Sequence, residues 1–193
     1  MKKVENERVR FHLSFSTLLI YNAIKLVEFC NKMINFAPLA TETNINDNLA
    51  ITFASLSLDE VYRLADDAAN GAIVVMSGTV RNQTDGKPVV YLEYQAYEPM
   101  ALEVFKKIAA DLRQQYPDTN RVVIHHRIGR LQIGEISVLV AVGCPHRGEA
   151  FAACRYAIDT LKHNAPIWKK EHWADGSSNW VSIGACEENN AIC

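Results

Sequence analysis

Three groups of basic residues have types and spacings that suit chemistry on an anion. Arg81 directly follows an apolar run, Gly71–Val80. Cys144-Pro145-His146-Arg147 stands where a second apolar run gives way to a helical pattern. Lys162 is followed, beyond Pro166, by Lys169 and Lys170. The free backbone N–H groups of a helix N-terminus attract anions, and an adjacent arginine can clamp them through two parallel hydrogen bonds. His146 adds a donor that exchanges its proton near neutral pH. The same His-Arg pair also suits an ordinary helix start with solvated charges. Lys162 falls in a last helical turn, where the dipole favours a cation without any further role. Lys169 lies in an apolar and aromatic setting, Ala165-Pro166-Ile167-Trp168-Lys169. Held beside Trp168 and partly desolvated, its amine would lose protons more readily and serve acid–base or nucleophilic work. The competing reading makes both lysines plain surface charges.

Other candidates carry less. His125 and His126 are strand neighbours, so they face opposite ways, and no metal-ligand spacing accompanies them. Both read as structural, and no metal is expected. Cys144 stands two residues before His146, which allows a Cys–His nucleophile pair, but a buried structural thiol is the commoner state. Gly71, Gly78 and Gly86 do not form a phosphate loop. The five cysteines are widely spaced with no CxxC pair, which fits reduced thiols rather than a zinc site or a redox motif.

The elements that must position these groups are readable along the chain. At 193 residues, 49% apolar and 22% charged, the sequence can bury a full core without staples. Its net charge of −2 gives no global field toward nucleic acid or a membrane surface, so any basic site is local. Residues 1–10 are charge-rich, and Phe11–Ile24 lacks formal charge. Lys25 and Glu28 interrupt this run, no A-x-A site follows, and it is too short to span a bilayer. The expectation is an N-terminal extension over 1–48, poorly ordered or weakly helical, with Met33 as an alternative start. The polar segment Pro38–Asn48 marks the boundary of a domain at 49–193.

Within that domain Ile51–Phe53 reads as a short strand. Ser57-Leu58-Asp59-Glu60 has the S-x-x-E form that starts a helix, here running to about Ala65. Gly71–Val80 suits a buried strand. Asp85-Gly86 marks a turn into the strand Val89–Tyr97, in which Val90, Leu92, Tyr94 and Ala96 share one face. Pro99 opens a helix that runs to Tyr116, with Phe105, Ile108, Ala109, Leu112 and Tyr116 on one stripe. Arg121–Ile128 and Ile136–Gly143 are strands around a turn-rich segment at Gly129–Gly134. A helix over Arg147–Lys162 is expected to turn Phe151, Cys154, Ile158 and Leu161 inward, and Pro166 ends it. Ile167–Glu171 and Asn179–Ile183 close the chain as short strands. The pattern is α+β, with helices packed on a mixed, largely antiparallel sheet.

Four ordered motifs then become recognisable. Gly78-Thr79-Val80-Arg81-Asn82, His126-Arg127-Ile128-Gly129, Pro145-His146-Arg147 and Leu161-Lys162-His163-Asn164-Ala165-Pro166-Ile167-Trp168-Lys169-Lys170-Glu171, with Trp180-Val181 behind them, resemble the MoaE family of molybdopterin synthase large subunits. The likeness covers about Leu49–Ile183. It implies an α/β hammerhead fold and a cytoplasmic sulfurtransferase that needs no cofactor of its own. It implies a homodimer of large subunits within a heterotetramer, each binding a small ubiquitin-like sulfur carrier with a C-terminal Gly-Gly thiocarboxylate. The substrate would be cyclic pyranopterin monophosphate (precursor Z) and the product molybdopterin, formed through a half-sulfurated, carrier-linked intermediate. By match of position, Lys169 and Lys162 would be catalytic. Thr79, Val80, Arg81, His146, Arg147, Lys170 and Glu171 would join them in binding substrate, all converging on one cationic hollow. The arginine that the family often carries after the Trp-Val pair is missing from Ser182-Ile183-Gly184-Ala185-Cys186. A phosphate-ligand binding module and a hydrolase built on Cys144 and His146 are the competing functions.

Overall fold

The computed structural model describes residues 47–182. The expected extension therefore lies outside the described residues except for Asp47 and Asn48, and so does 183–193. The elements run β1 (Asn48–Thr52), α1 (Leu58–Ala65), β2 (Ala72–Thr79), β3 (Gln83–Thr84), β4 (Lys87–Ala96), α2 (Glu98–Gln115), β5 (Arg121–Arg127), β6 (Gly129–Gln132), β7 (Ile136–Cys144), α3 (Arg147–Asn164), β8 (Ile167–Trp173) and β9 (Ser178–Ser182).

Local chemistry sets most of these boundaries. Ser57 caps α1, its hydroxyl accepting from the Glu60 N–H at 3.3 Å. Pro99 occupies the first turn of α2, where its missing N–H costs nothing. The tight β3–β4 hairpin needs positive φ at both turn residues, supplied by Asp85 (φ 50°) and Gly86 (φ 76°). Pro166 follows the α3 cap residue Ala165 and stops that helix.

The strands form two sheets. The first has the order β1-β5-β7-β2, with β1 parallel to β5 and the other pairs antiparallel. Residues Val123, Leu139 and Ala141 of this sheet pack on Val61 and Ala65 of α1. Alternate residues such as Val138, Val140 and Val142 face the other way, and α3 packs across β7 and β2. Cover on both faces explains why β7 is buried almost throughout and reads as a continuous apolar run. The second sheet is antiparallel, with order β3-β4-β8-β9 and β6 added to β4. Its core is Val80, Val89, Leu92 and Leu131.

Three expectations need correction. The segment after Gly129 is not only turn: Gly129–Gln132 pairs with Tyr91–Tyr94 as β6. Val90 does not share a face with Leu92, because a register shift between Val89 and Tyr91 turns Val89 inward and leaves Val90 exposed. Phe151 is 63% exposed rather than inward, since α3 meets the sheet through Ala150, Ala153, Cys154, Ala157, Ile158 and Leu161. Small side chains on that face let the helix lie close to the strands and leave no room for a phenyl ring.

Candidate active site

Arg81 stands just past the end of β2. That end is fixed by two backbone bonds, from the Val80 N–H to Glu135 O (3.0 Å) and from the Gly134 N–H to Val80 O (2.9 Å). Thr79 and Arg81 are exposed on either side, while the Val80 side chain belongs to the core of the second sheet. Three residues on, Thr84 reaches β8: its hydroxyl donates to Glu171 Oε1 at 3.2 Å. The same oxygen receives the Lys169 amine at 3.2 Å. The 79–84 segment and β8 therefore meet at one place.

Lys169 and Glu171 are two residues apart on β8 and share a face, toward Tyr94 and Leu92 of β4. The Lys169 side chain is 12% exposed and that of Glu171 1%. What shields the lysine is thus its strand setting and the carboxylate. Trp168, expected beside it, alternates to the opposite face. Lys170 goes with Trp168 and places its amine 5.9 Å from the Trp180 ring centroid, so it does not share the face of Lys169. Lys162 lies in the last turn of α3, as expected, where the helix dipole favours it.

His146 and Arg147 form a different locale. His146 is the N-cap of α3 and Arg147 its first residue. With Gly71, Pro145 and Gly148 they line an open hollow of ≈ 490 Å³. Gly71 is required there: a Cβ would lie 2.3 Å from Pro145 O. The hollow and Lys162 mark opposite ends of α3. Fifteen residues of helix separate Arg147 from Lys162, about 22 Å along the axis. The antiparallel pairing of β2 with β7 separates Arg81 in the same sense, since Ala72 lies beside Cys144 and Thr79 beside Ile136. Within one chain, then, Thr79, Arg81, Thr84, Lys169 and Glu171 gather toward one end of the fold, and His146 and Arg147 stand at the other.

The remaining candidates are packed away. His125 and His126 are both buried. His125 Nε2 lies 2.6 Å from Asn48 Oδ1, and His126 Nδ1–H donates to Arg127 O at 2.9 Å. Burial depresses the His126 imidazole to about 4. Cys144 is fully buried against Thr119 while His146 is exposed, and burial raises its thiol. A buried thiol held protonated is a poor nucleophile, which removes the Cys–His hydrolase. Cys154 is likewise buried and pushed up to about 11. Among the described residues no cluster of three His, Cys, Asp or Glu side chains could hold a metal, and no helix is long and apolar enough to cross a membrane.

The helix-on-sheet α+β fold thus sets cationic side chains at both ends of α3 and a nearly buried lysine–carboxylate pair on β8, an arrangement suited to an anionic ligand. Comparison with known proteins narrows this. A family model described as MoaE protein matches residues 51–164. A protein of Nostoc sp. strain PCC 7120 named molybdopterin synthase catalytic subunit is 76% identical over 157 residues, covering 81% of this chain and 95% of its own. The crystal structure of molybdopterin synthase from Staphylococcus aureus superposes with a TM-score of 0.65 at 41% identity, over 68% of this chain and 94% of that one. A complex of subunits 1 and 2 of molybdopterin-converting factor from Helicobacter pylori shares the fold, with a TM-score of 0.56 at 23% identity, over 70% and 90% of the two chains. The chain belongs to the MoaE family.

Thr84 is the site residue that the sequence did not single out. Its only signal was its place before the Asp85-Gly86 turn, which folds β3 back beside β4.

Proposed function

We propose that this chain is the catalytic subunit of a molybdopterin synthase. It moves sulfur from the C-terminal thiocarboxylate of a small, ubiquitin-like carrier ending in Gly-Gly to precursor Z, in two steps, building the dithiolene of molybdopterin. The observation that carries the reading is Lys169: a lysine in the family's motif, nearly buried, held at one place by a carboxylate. Lys169 acts as general acid/base or activates the thiocarboxylate attack, and Lys162 anchors the carrier's terminal group and stabilises developing charge. Arg81, His146 and Arg147 hold the anionic pterin, with Thr79 beside Arg81; Val80 and Glu171 back the site from beneath, and Lys170, turned to the other face of β8, stands outside it.

The separation along α3 supports a dimer. A two-fold arrangement with the helices antiparallel brings His146 and Arg147 of one copy to the Lys162–Lys169 end of the other, so each of two sites draws on both copies. Two carriers on such a dimer make a heterotetramer. As the family resemblance implies, it acts in the cytoplasm.

Reconstitution tests this reading. The purified chain, thiocarboxylated carrier and precursor Z should together yield molybdopterin. Lys169→Ala should abolish product while the circular dichroism spectrum is kept, and Cys144→Ala should leave turnover intact. Phosphate-ligand binding without product would identify a binding module instead.

A further inference from the structure

We infer that Glu171 is a positioning residue for the sulfur-transfer step: it fixes the Lys169 amine, and Thr84 orients the carboxylate that does so. The inference rests on the reading of Lys169 as catalytic and adds a part to that site.

Glu171 is 1% exposed, so it meets solvent-borne substrate poorly. It lies beside Leu92 in the sheet register, among the apolar side chains that form the core of the second sheet. A carboxylate is costly in such surroundings unless it is paired and hydrogen-bonded. The pairing is asymmetric. Oε1 takes both the Lys169 amine and the Thr84 hydroxyl, each at 3.2 Å. Oε2 is buried and has no hydrogen-bond partner among the described residues. An ammonium has three N–H donors and a carboxylate about four acceptor sites, so the arrangement can hold the amine while leaving acceptor capacity in reserve.

Such a hold has a use. A lysine stem has four rotatable carbons, and an amine that acts on a reacting atom must be kept within a fraction of an ångström of its place. Thr84 couples this to the substrate end of the site. It sits on the hairpin that follows Arg81, so the segment presenting the arginine and the strand presenting the lysine are joined through one carboxylate oxygen. A purely architectural ion pair would not need a hydroxyl from the hairpin on the same oxygen.

The test uses the full chain with thiocarboxylated carrier and precursor Z. Glu171→Gln keeps the shape and removes the charge. It should lower turnover at saturating substrate about 10–100-fold, the scale expected for a displaced catalytic group, while KM for precursor Z and for carrier moves less than about threefold. Thr84→Val should lower turnover about threefold or more, and Thr84→Ser should restore it. Wild-type turnover in Glu171→Gln below its melting temperature, with Lys169→Ala inactive, overturns the inference and leaves the proposed function standing. An active Lys169→Ala overturns both. If Glu171→Gln fails to fold, the threonine pair decides: unchanged turnover in Thr84→Val refutes the positioning role.

Discussion

Lys169 carries one half of a nearly buried ion pair, so its removal has two separable effects. Activity should fall by about 10²-fold or more, as for loss of a general acid or base. Stability should also fall, by about 1–3 kcal/mol, because Glu171 is left buried without its cation. Urea titration beside the product assay would show both. His126 gives a pH signature of its own. Burial holds the folded imidazole at about 4, whereas the unfolded ring takes its proton near 6.5. The unfolded state therefore binds more protons between these values. Stability from the neutral ring is complete above about pH 6.5 and is lost as pH falls toward 4, by about 3 kcal/mol in all. The urea midpoint should drop over that window, and His126→Leu should flatten the drop. At this scale the sequence disclosed the types but not the neighbours. Lys169 was marked out by its apolar setting, but the neighbour that shields it was misjudged, because strand alternation turns Trp168 and Lys170 to the other face; the Lys169–Glu171–Thr84 contact spans 87 positions of chain, beyond the reach of any local pattern.

Elements were legible where one local rule decides them. The Ser57 cap, the Pro99 start, the Asp85-Gly86 turn and the Pro166 stop all lie where side-chain chemistry places them. What failed needed tertiary knowledge. β6 is a strand because β4 offers it an edge, not because Gly129-Arg130-Leu131-Gln132 prefers to be extended. Phe151 has the helical spacing of a core residue and was displaced by alanines that fit closer. Gly71 tests how one such junction is built. Gly71→Ala puts a methyl 2.3 Å from Pro145 O, so the corner carrying His146 and Arg147 must shift. Precursor Z should bind at least about tenfold more weakly, read by calorimetry, while the carrier's affinity stays near wild type.

For the whole molecule, the division of the cationic groups between two ends of α3 makes a prediction that needs no structure of the dimer. Lys169→Ala and His146→Ala chains are each expected to be inactive as pure dimers. Mixed one to one under subunit exchange, half of the dimers should contain both, and each of these keeps one unaltered site. About a quarter of wild-type activity should return. Activity that stays at zero after verified exchange would show that each site is built within a single chain. The two-sheet architecture itself was only partly readable: alternating strands and helices announced α+β, but nothing local separates the strands of the first sheet from those of the second.

The length of α3 has one more consequence. If the groups at its two ends serve different reaction centres, those centres stand roughly 20 Å apart on a stiff rod. Salt at physiological strength cuts the influence of one exposed charge on another to roughly a third over each 8 Å. Filling one centre with a phosphorylated ligand should leave its twin indifferent. The occupancy curve of the pair would then be a plain hyperbola with a Hill coefficient of one, each half of the assembly working to its own clock.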